Sequence, residues 1–149
     1  MLEPNLAELI ERARVNRDFT PVTDAIPYAR FMGISVEITE DGLQTRMQFD
    51  DHLIGNPILR ALHGGTIGAL LEHAAIFALM WDTDVVPLPK TINLTTQYLR
   101  SARPQDTFAR ATITKRGRRV ANVSVTAWQD DERRPIASGN AHFLLRSPQ

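Results

Sequence analysis

The run His63-Gly64-Gly65-Thr66-Ile67-Gly68-Ala69-Leu70-Leu71-Glu72-His73-Ala74-Ala75-Ile76-Phe77-Ala78-Leu79-Met80 constrains this chain more than any other stretch. A His-Gly-Gly turn leads into residues that are almost all apolar, the pattern of a helix with protein on most of its sides. One carboxylate, Glu72, lies within it. A charge in an apolar helix is costly unless it is paired or used. Counting back four and seven positions from Glu72 reaches Gly68 and Gly65. The carboxylate is therefore expected above a strip without side chains, tilted toward the free amides of the first helical turn. Glycine inside a helix costs about 0.5–1 kcal/mol relative to alanine, so Gly68 implies that something approaches closely. Free N–H groups at a helix start can hold a carbonyl oxygen as it gains negative charge. The pattern alone leaves a second reading open, in which an arginine of a partner subunit holds Glu72, Gly68 permits tight helix–sheet packing, and His-Gly-Gly simply begins the helix.

The rest of the chain supplies what such a helix needs around it. Leu6, Leu9, Ile10 and Ala13 recur at helical spacing, and Pro4 suits a first turn, so residues 4–16 form a short amphipathic helix. Residues 17–32 read as a loop and a short helical turn. Ile34, Val36 and Ile38 alternate with polar residues, and the alternation resumes at Leu43, Thr45, Met47 and Phe49. This is a β-hairpin with its turn at Asp41-Gly42. A loop over 50–62 precedes the helix, and an irregular connection over 81–90 follows it. Four alternating segments complete the chain, at 91–99, 107–115, 120–129 and 135–145, and read as an antiparallel meander. The apolar face of such a sheet must be covered, and the helix at 64–80 is apolar enough to cover it. The expected class is α+β, with a curved antiparallel sheet of about six strands wrapped around one long central helix. At 149 residues this is one core, organised as an N-terminal helical extension over 1–25 and a main domain over 26–149.

Charge and composition remove several functions. The formal net charge is +0 with no basic block, so neither nucleic acid nor an anionic membrane is an expected partner. Without cysteine there is no disulfide or thiolate chemistry, in keeping with a cytoplasmic protein. The first residues lack a basic start and apolar run, and no segment is expected to be long and apolar enough to span a bilayer. His52, His73 and His142 do not have metal-ligand spacing, so no metal is expected. No serine lies in a nucleophile elbow.

The segment Leu62 to Glu72, a His-Gly-Gly turn with an acid nine residues after the histidine, resembles the signature of the hot-dog-fold acyl-CoA thioesterases of the phenylacetate-pathway (PaaI-like) and 4-hydroxybenzoyl-CoA type. The order of elements from residue 34 to 145 fits the same family. The resemblance implies hydrolysis of an acyl-CoA thioester, with coenzyme A as part of the substrate and no separate cofactor. It implies that the Gly64 N–H polarises the thioester carbonyl, that His63 shapes the turn, and that Glu72 is nucleophile or general base. It further implies that Thr91 assists the attacking water, and that the site is shared across a homodimer, dimers of dimers being common. The family often has Asn, two residues, Gly, two residues and then His. Here Pro57 and Arg60 stand at the Asn and Gly positions, and Asn56, one residue out of register, is the candidate for substrate contact. Gly65 and Gly68 would border the substrate, and the basic turn at Arg116 and Arg118 is a candidate for the coenzyme A phosphates, as are Arg100 and Arg103. The alternative is a hot-dog protein that binds acyl-CoA without turning it over, as a sensor or carrier partner. A hot-dog dehydratase would need a His and acid arrangement not found in this chain.

Overall fold

A computed structural model describes residues 5–82 and 88–145. Pro4 and the middle of the 81–90 connection lie outside the described residues. Helix α1 spans Leu6–Asn16, and its N-cap is Asn5, whose side chain accepts from the Glu8 N–H at 3.0 Å. The 17–32 region holds two five-residue helices, α2 (Thr20–Asp24) and α3 (Pro27–Phe31), each with proline in its first turn. Strands β1 (Ile34–Thr39) and β2 (Gly42–Met47) form the expected hairpin. Its two turn residues are Glu40 and Asp41, one step earlier than expected, and Gly42 opens β2 at φ 106°. A small hairpin of β3 (Ile54–Asn56) and β4 (Ala61–Leu62) then leads into α4, Gly64–Asp82. Four long strands follow: β5 (Lys90–Tyr98), β6 (Thr107–Arg116), β7 (Val120–Trp128) and β8 (Ala137–Leu144).

The six long strands form one antiparallel sheet in the order β1-β2-β6-β7-β8-β5, packed around α4 as in a hot-dog fold. The meander holds from β6 to β8, but β5 does not neighbour β6. It pairs with β8 along its whole length, and β6 takes the place beside β2. Residues 99–106 are long enough to carry the chain across the end of the sheet, so sequence adjacency does not force pairing here. The inner face is lined by small residues, with Ala109, Ala121, Ala127, Ala137, Gly139 and Ala141 all buried, which lets the helix lie close. A Cβ at Gly139 would come within 3.2 Å of Leu94 and 3.5 Å of Leu71. Leu70, Leu71, Phe77 and Leu79 of α4 are fully buried, each stabilising the fold by about 1.5–3 kcal/mol. Leu9, Ile10 and Ala13 of α1 join the same core, and the Arg14 guanidinium donates to the carbonyls of Met80 and Trp81 at the end of α4.

The helix is less enclosed than its composition implies. Gly65, Gly68, Ala69, Glu72, His73 and Ile76 form a stripe that stays partly exposed. By length and composition α4 is also long and apolar enough to cross a membrane, with mean hydropathy 1.3, contrary to the sequence expectation. Half of it is buried against the sheet, so it serves as the core helix of this fold.

Candidate active site at the start of the central helix

The turn that starts α4 is held from several sides. The His63 N–H donates to the Leu53 carbonyl at 2.8 Å, and the Leu62 N–H to that of Ala102 at 3.0 Å. Gly55 lies directly beneath His63, where a Cβ would meet its Cα at 2.5 Å. No sequence signal beyond a glycine in a loop marks Gly55 as the spacer that admits the turn. His63 is itself the helix cap: its carbonyl accepts from the Thr66 N–H at 2.9 Å, and its Nδ1 accepts from the Gly65 N–H at 2.8 Å. An accepting Nδ1 belongs to a neutral imidazole with its proton on Nε2, a tautomer assigned from the hydrogen bonding. Of the amides of Gly64, Gly65 and Thr66, only that of Gly64 has no acceptor among the described residues.

The glycine strip is not bare. Tyr98, the last residue of β5, lies across it, its hydroxyl donating to the Gly64 carbonyl at 2.8 Å. A Cβ at Gly64 would stand 3.2 Å from the tyrosine ring, and one at Gly68 would stand 3.8 Å from its oxygen. The sequence expectation contained no such residue, because the contact joins positions 34 apart. Glu72 is half-buried on the open stripe and has no hydrogen-bond or ion-pair partner among the described residues. No arginine among the described residues holds it. Eight residues of helix separate it from Gly64, a rise of about 12 Å, too far for the carboxylate to touch that amide within one chain. The adjacent His73 bonds the Ala69 carbonyl at 2.7 Å and stacks on Tyr28, a packed histidine on the neighbouring edge of the stripe.

Within one chain most of the remaining candidates lie apart from this turn. Thr91 is seven residues from Tyr98 along β5, about 23 Å. Arg116 and Arg118 are at the same distant end, since Val120 and Lys90 both register with Leu144. Asn56 is near the turn, but its Oδ1 accepts from the N–H groups of Ile58 and Leu59 at 3.1 and 3.0 Å, so it shapes its own loop. Arg60 adopts φ 50°, the left-handed conformation that glycine takes without strain, and pairs with Asp51 at 3.1 Å. The loop thus keeps a glycine-type backbone at the position where the related pattern has glycine. Arg100 and Arg103 line a polar hollow of about 220 Å³ with Ser101, Gln129, Asp130, Asp131, Arg134 and Ile136, beyond the Tyr98 end of the sheet.

The family model of the thioesterase superfamily matches residues 60–136, just over half of the chain and including the turn and Glu72. The chain belongs to the thioesterase superfamily. Its fold is shared with solved relatives of this superfamily and others. A protein from Chromobacterium violaceum is 39% identical, covering 97% of this chain and 98% of its own, with a TM-score of 0.76. A phenylacetic acid degradation-related protein from Ralstonia eutropha JMP134 is 24% identical over 80% of this chain and 90% of its own, with a TM-score of 0.71. A Bacillus halodurans protein solved with CoA is 22% identical over 96% and 93% of the two chains, with a TM-score of 0.74. No curated protein sequence matches this chain.

Proposed function

We propose that this superfamily member hydrolyses acyl-CoA thioesters to a free acid and coenzyme A. The observation that carries the reading is the pair of unused groups on α4, the Gly64 N–H at its start and the unpartnered Glu72 carboxylate on its open stripe. The Gly64 amide would hold the carbonyl oxygen while Glu72 either attacks the carbon or takes a proton from the attacking water. The C–S bond then breaks. Where Glu72 has acted as base, the thiolate takes up the proton that Glu72 removed from water. Where Glu72 has attacked, water hydrolyses the resulting anhydride, releasing the acid, restoring the carboxylate and supplying the thiol proton. Thiolate leaves readily, so no strong general acid is needed. The reading needs no separate cofactor and no metal, and it fits a cytoplasmic enzyme whose N-terminal 1–25 extension supports a 26–149 catalytic domain.

The 12 Å between Gly64 and Glu72 favours a site built from two chains. Strand β5 is an edge strand with no neighbour on its outer side among the described residues. If two copies met there antiparallel and in full overlap, Lys90 would face the partner's Tyr98, and Thr91 would face the partner's Gln97. That homodimer brings the Thr91 end of one chain, with its Arg116 and Arg118 turn, to the Gly64 end of the other, and supports Thr91 as the residue assisting water. A dimer of such dimers is compatible with it. The CoA bound to the Bacillus halodurans relative and the phenylacetate link of the Ralstonia relative support a PaaI-like substrate class.

The test is thiol release from a panel of aromatic and fatty acyl-CoAs. Wild type should release thiol from at least one, and Glu72→Ala should lower kcat by about 10²–10⁴-fold. Full activity in Glu72→Ala would remove the assigned role. Tight acyl-CoA binding without thiol release would leave a binding protein instead.

A further inference from the structure

The first peptide group of α4 is gripped at both ends by side chains from outside the helix. Its carbonyl, on Gly64, accepts from the Tyr98 hydroxyl at 2.8 Å, and its N–H, on Gly65, donates to His63 Nδ1 at 2.8 Å. A carbonyl oxygen has two lone pairs, so the tyrosine bond can stand beside the bond of the helix itself. Two successive glycines are the least constrained backbone a chain can contain. A hydrogen-bond donor contributes to a reaction only when its direction is set before charge develops. The free N–H of Gly64 is separated from the gripped peptide only by the φ and ψ of Gly64. Its own peptide is held through the His63 carbonyl, which accepts from the Thr66 N–H at 2.9 Å. Fixing the Gly64–Gly65 peptide therefore limits where the N–H can point. The fit is close, since the tyrosine ring occupies the space a Gly64 side chain would need.

We propose that Tyr98 is a positioning residue for thioester hydrolysis, its hydroxyl holding the Gly64–Gly65 peptide so that the Gly64 N–H is aimed at the substrate carbonyl. The proposal rests on the thioesterase reading above and adds to it a residue from a different strand. Tyr98 is 56% exposed and lies against Gly64 and Gly68, so its ring would also border a thioester brought to the Gly64 N–H.

Tyr98→Phe keeps the ring and removes the hydroxyl. On the best acyl-CoA it should lower kcat about tenfold with KM held within about twofold, the pattern of an interaction that matters in the transition state. A purely structural ring would leave both constants unchanged. The second readout is the infrared carbonyl stretch of an acyl-CoA bound to Glu72→Gln, in which the thioester persists. The stretch should lie at lower frequency than in solution, and adding Tyr98→Phe should remove at least half of that displacement. Unchanged kcat and an unchanged stretch in the phenylalanine variant would overturn the role of Tyr98 while leaving the thioesterase reading intact. A wild type that releases no thiol from any acyl-CoA would overturn that reading, and the role of Tyr98 with it.

Discussion

The two edges of the sheet are finished in opposite ways. Beside β1 lie α2 and α3, and the region between them is filled by Phe19, Val22, Met32 and Ile34, all nearly inaccessible. Beside β5 nothing among the described residues closes the edge, and Ile92, Tyr98 and Leu99 stand about half exposed. Exposed strand edges invite pairing, and a chain that covers one edge with its own helices has no general difficulty in covering an edge. The bare edge also carries Tyr98 against the start of α4, so it borders the candidate chemistry. The first edge concerns stability within one chain, and the second borders the site that the proposed dimer would complete.

The sharpest way to break this comparison is to charge the bare edge. Ile92→Asp places a carboxylate where the other copy would pack, and an unpaired charge in such a contact should weaken dimerisation at least about tenfold. Light scattering should show the mass falling to that of one chain, with thiol release per chain falling at least about tenfold while far-UV circular dichroism is unchanged. An assembly that keeps its mass and activity would show that β5 is not the shared edge. The opposite edge already carries an exposed charged residue, Glu37 of β1.

Much of this arrangement is legible in the sequence, and the part that is not has a common cause. Period-two alternation reveals β1, β2 and β5 to β8, and the apolar run reveals α4, because those signals are local. The displacement of β5 to the far side of β8 is not local, since it depends on which neighbour buries Leu94 against Gly139 and Leu71. Helices α2 and α3 are five residues each, too short to show a period. At the site, His63, Gly64 and Glu72 are visible as a motif, whereas Gly55 beneath His63 and Tyr98 across Gly64 are contacts between separate segments. The stripe on α4 is hidden for another reason: alanine and glycine read as core residues whether or not a second chain covers them.

The closed edge is tested by removing its central aromatic ring. Phe19 is 1% exposed and meets Phe77 edge-on at 5.1 Å and Trp81 at 6.0 Å, joining the N-terminal helices to α4. Phe19→Ala should cost about 3–5 kcal/mol through lost burial and the cavity left behind. For a chain of this size that lowers Tm by about 6–20 °C in calorimetry. At low temperature the remaining folded protein should keep its activity per molecule, because the ring lies away from Gly64. Loss of activity in step with stability would support the separation of the two regions, and loss of activity in protein still fully folded would refute it.

The smallest effect separates acid sensitivity from the site. Asp106 accepts from the Phe49 N–H at 2.8 Å and from Arg46 Nε at 2.9 Å, tying the end of β2 to the start of β6. The Phe49 N–H, with Arg46 assisting, holds its carboxyl below the ordinary value of 3.8, against a smaller opposing effect of burial. A depressed folded-state value means that the unfolded chain binds the proton more readily. The stabilisation is therefore complete above pH 3.8 and disappears as the pH falls through the folded-state value. Asp106→Asn keeps an acceptor for Phe49 but loses the charge facing Arg46, so at pH 7 its cost should be under about 1 kcal/mol. Urea midpoints of wild type and variant should differ at pH 7 and converge in acid below pH 3.8, with thiol release unaffected at pH 7. A gap that persists unchanged in acid would mean that the aspartate acts through its shape rather than its charge.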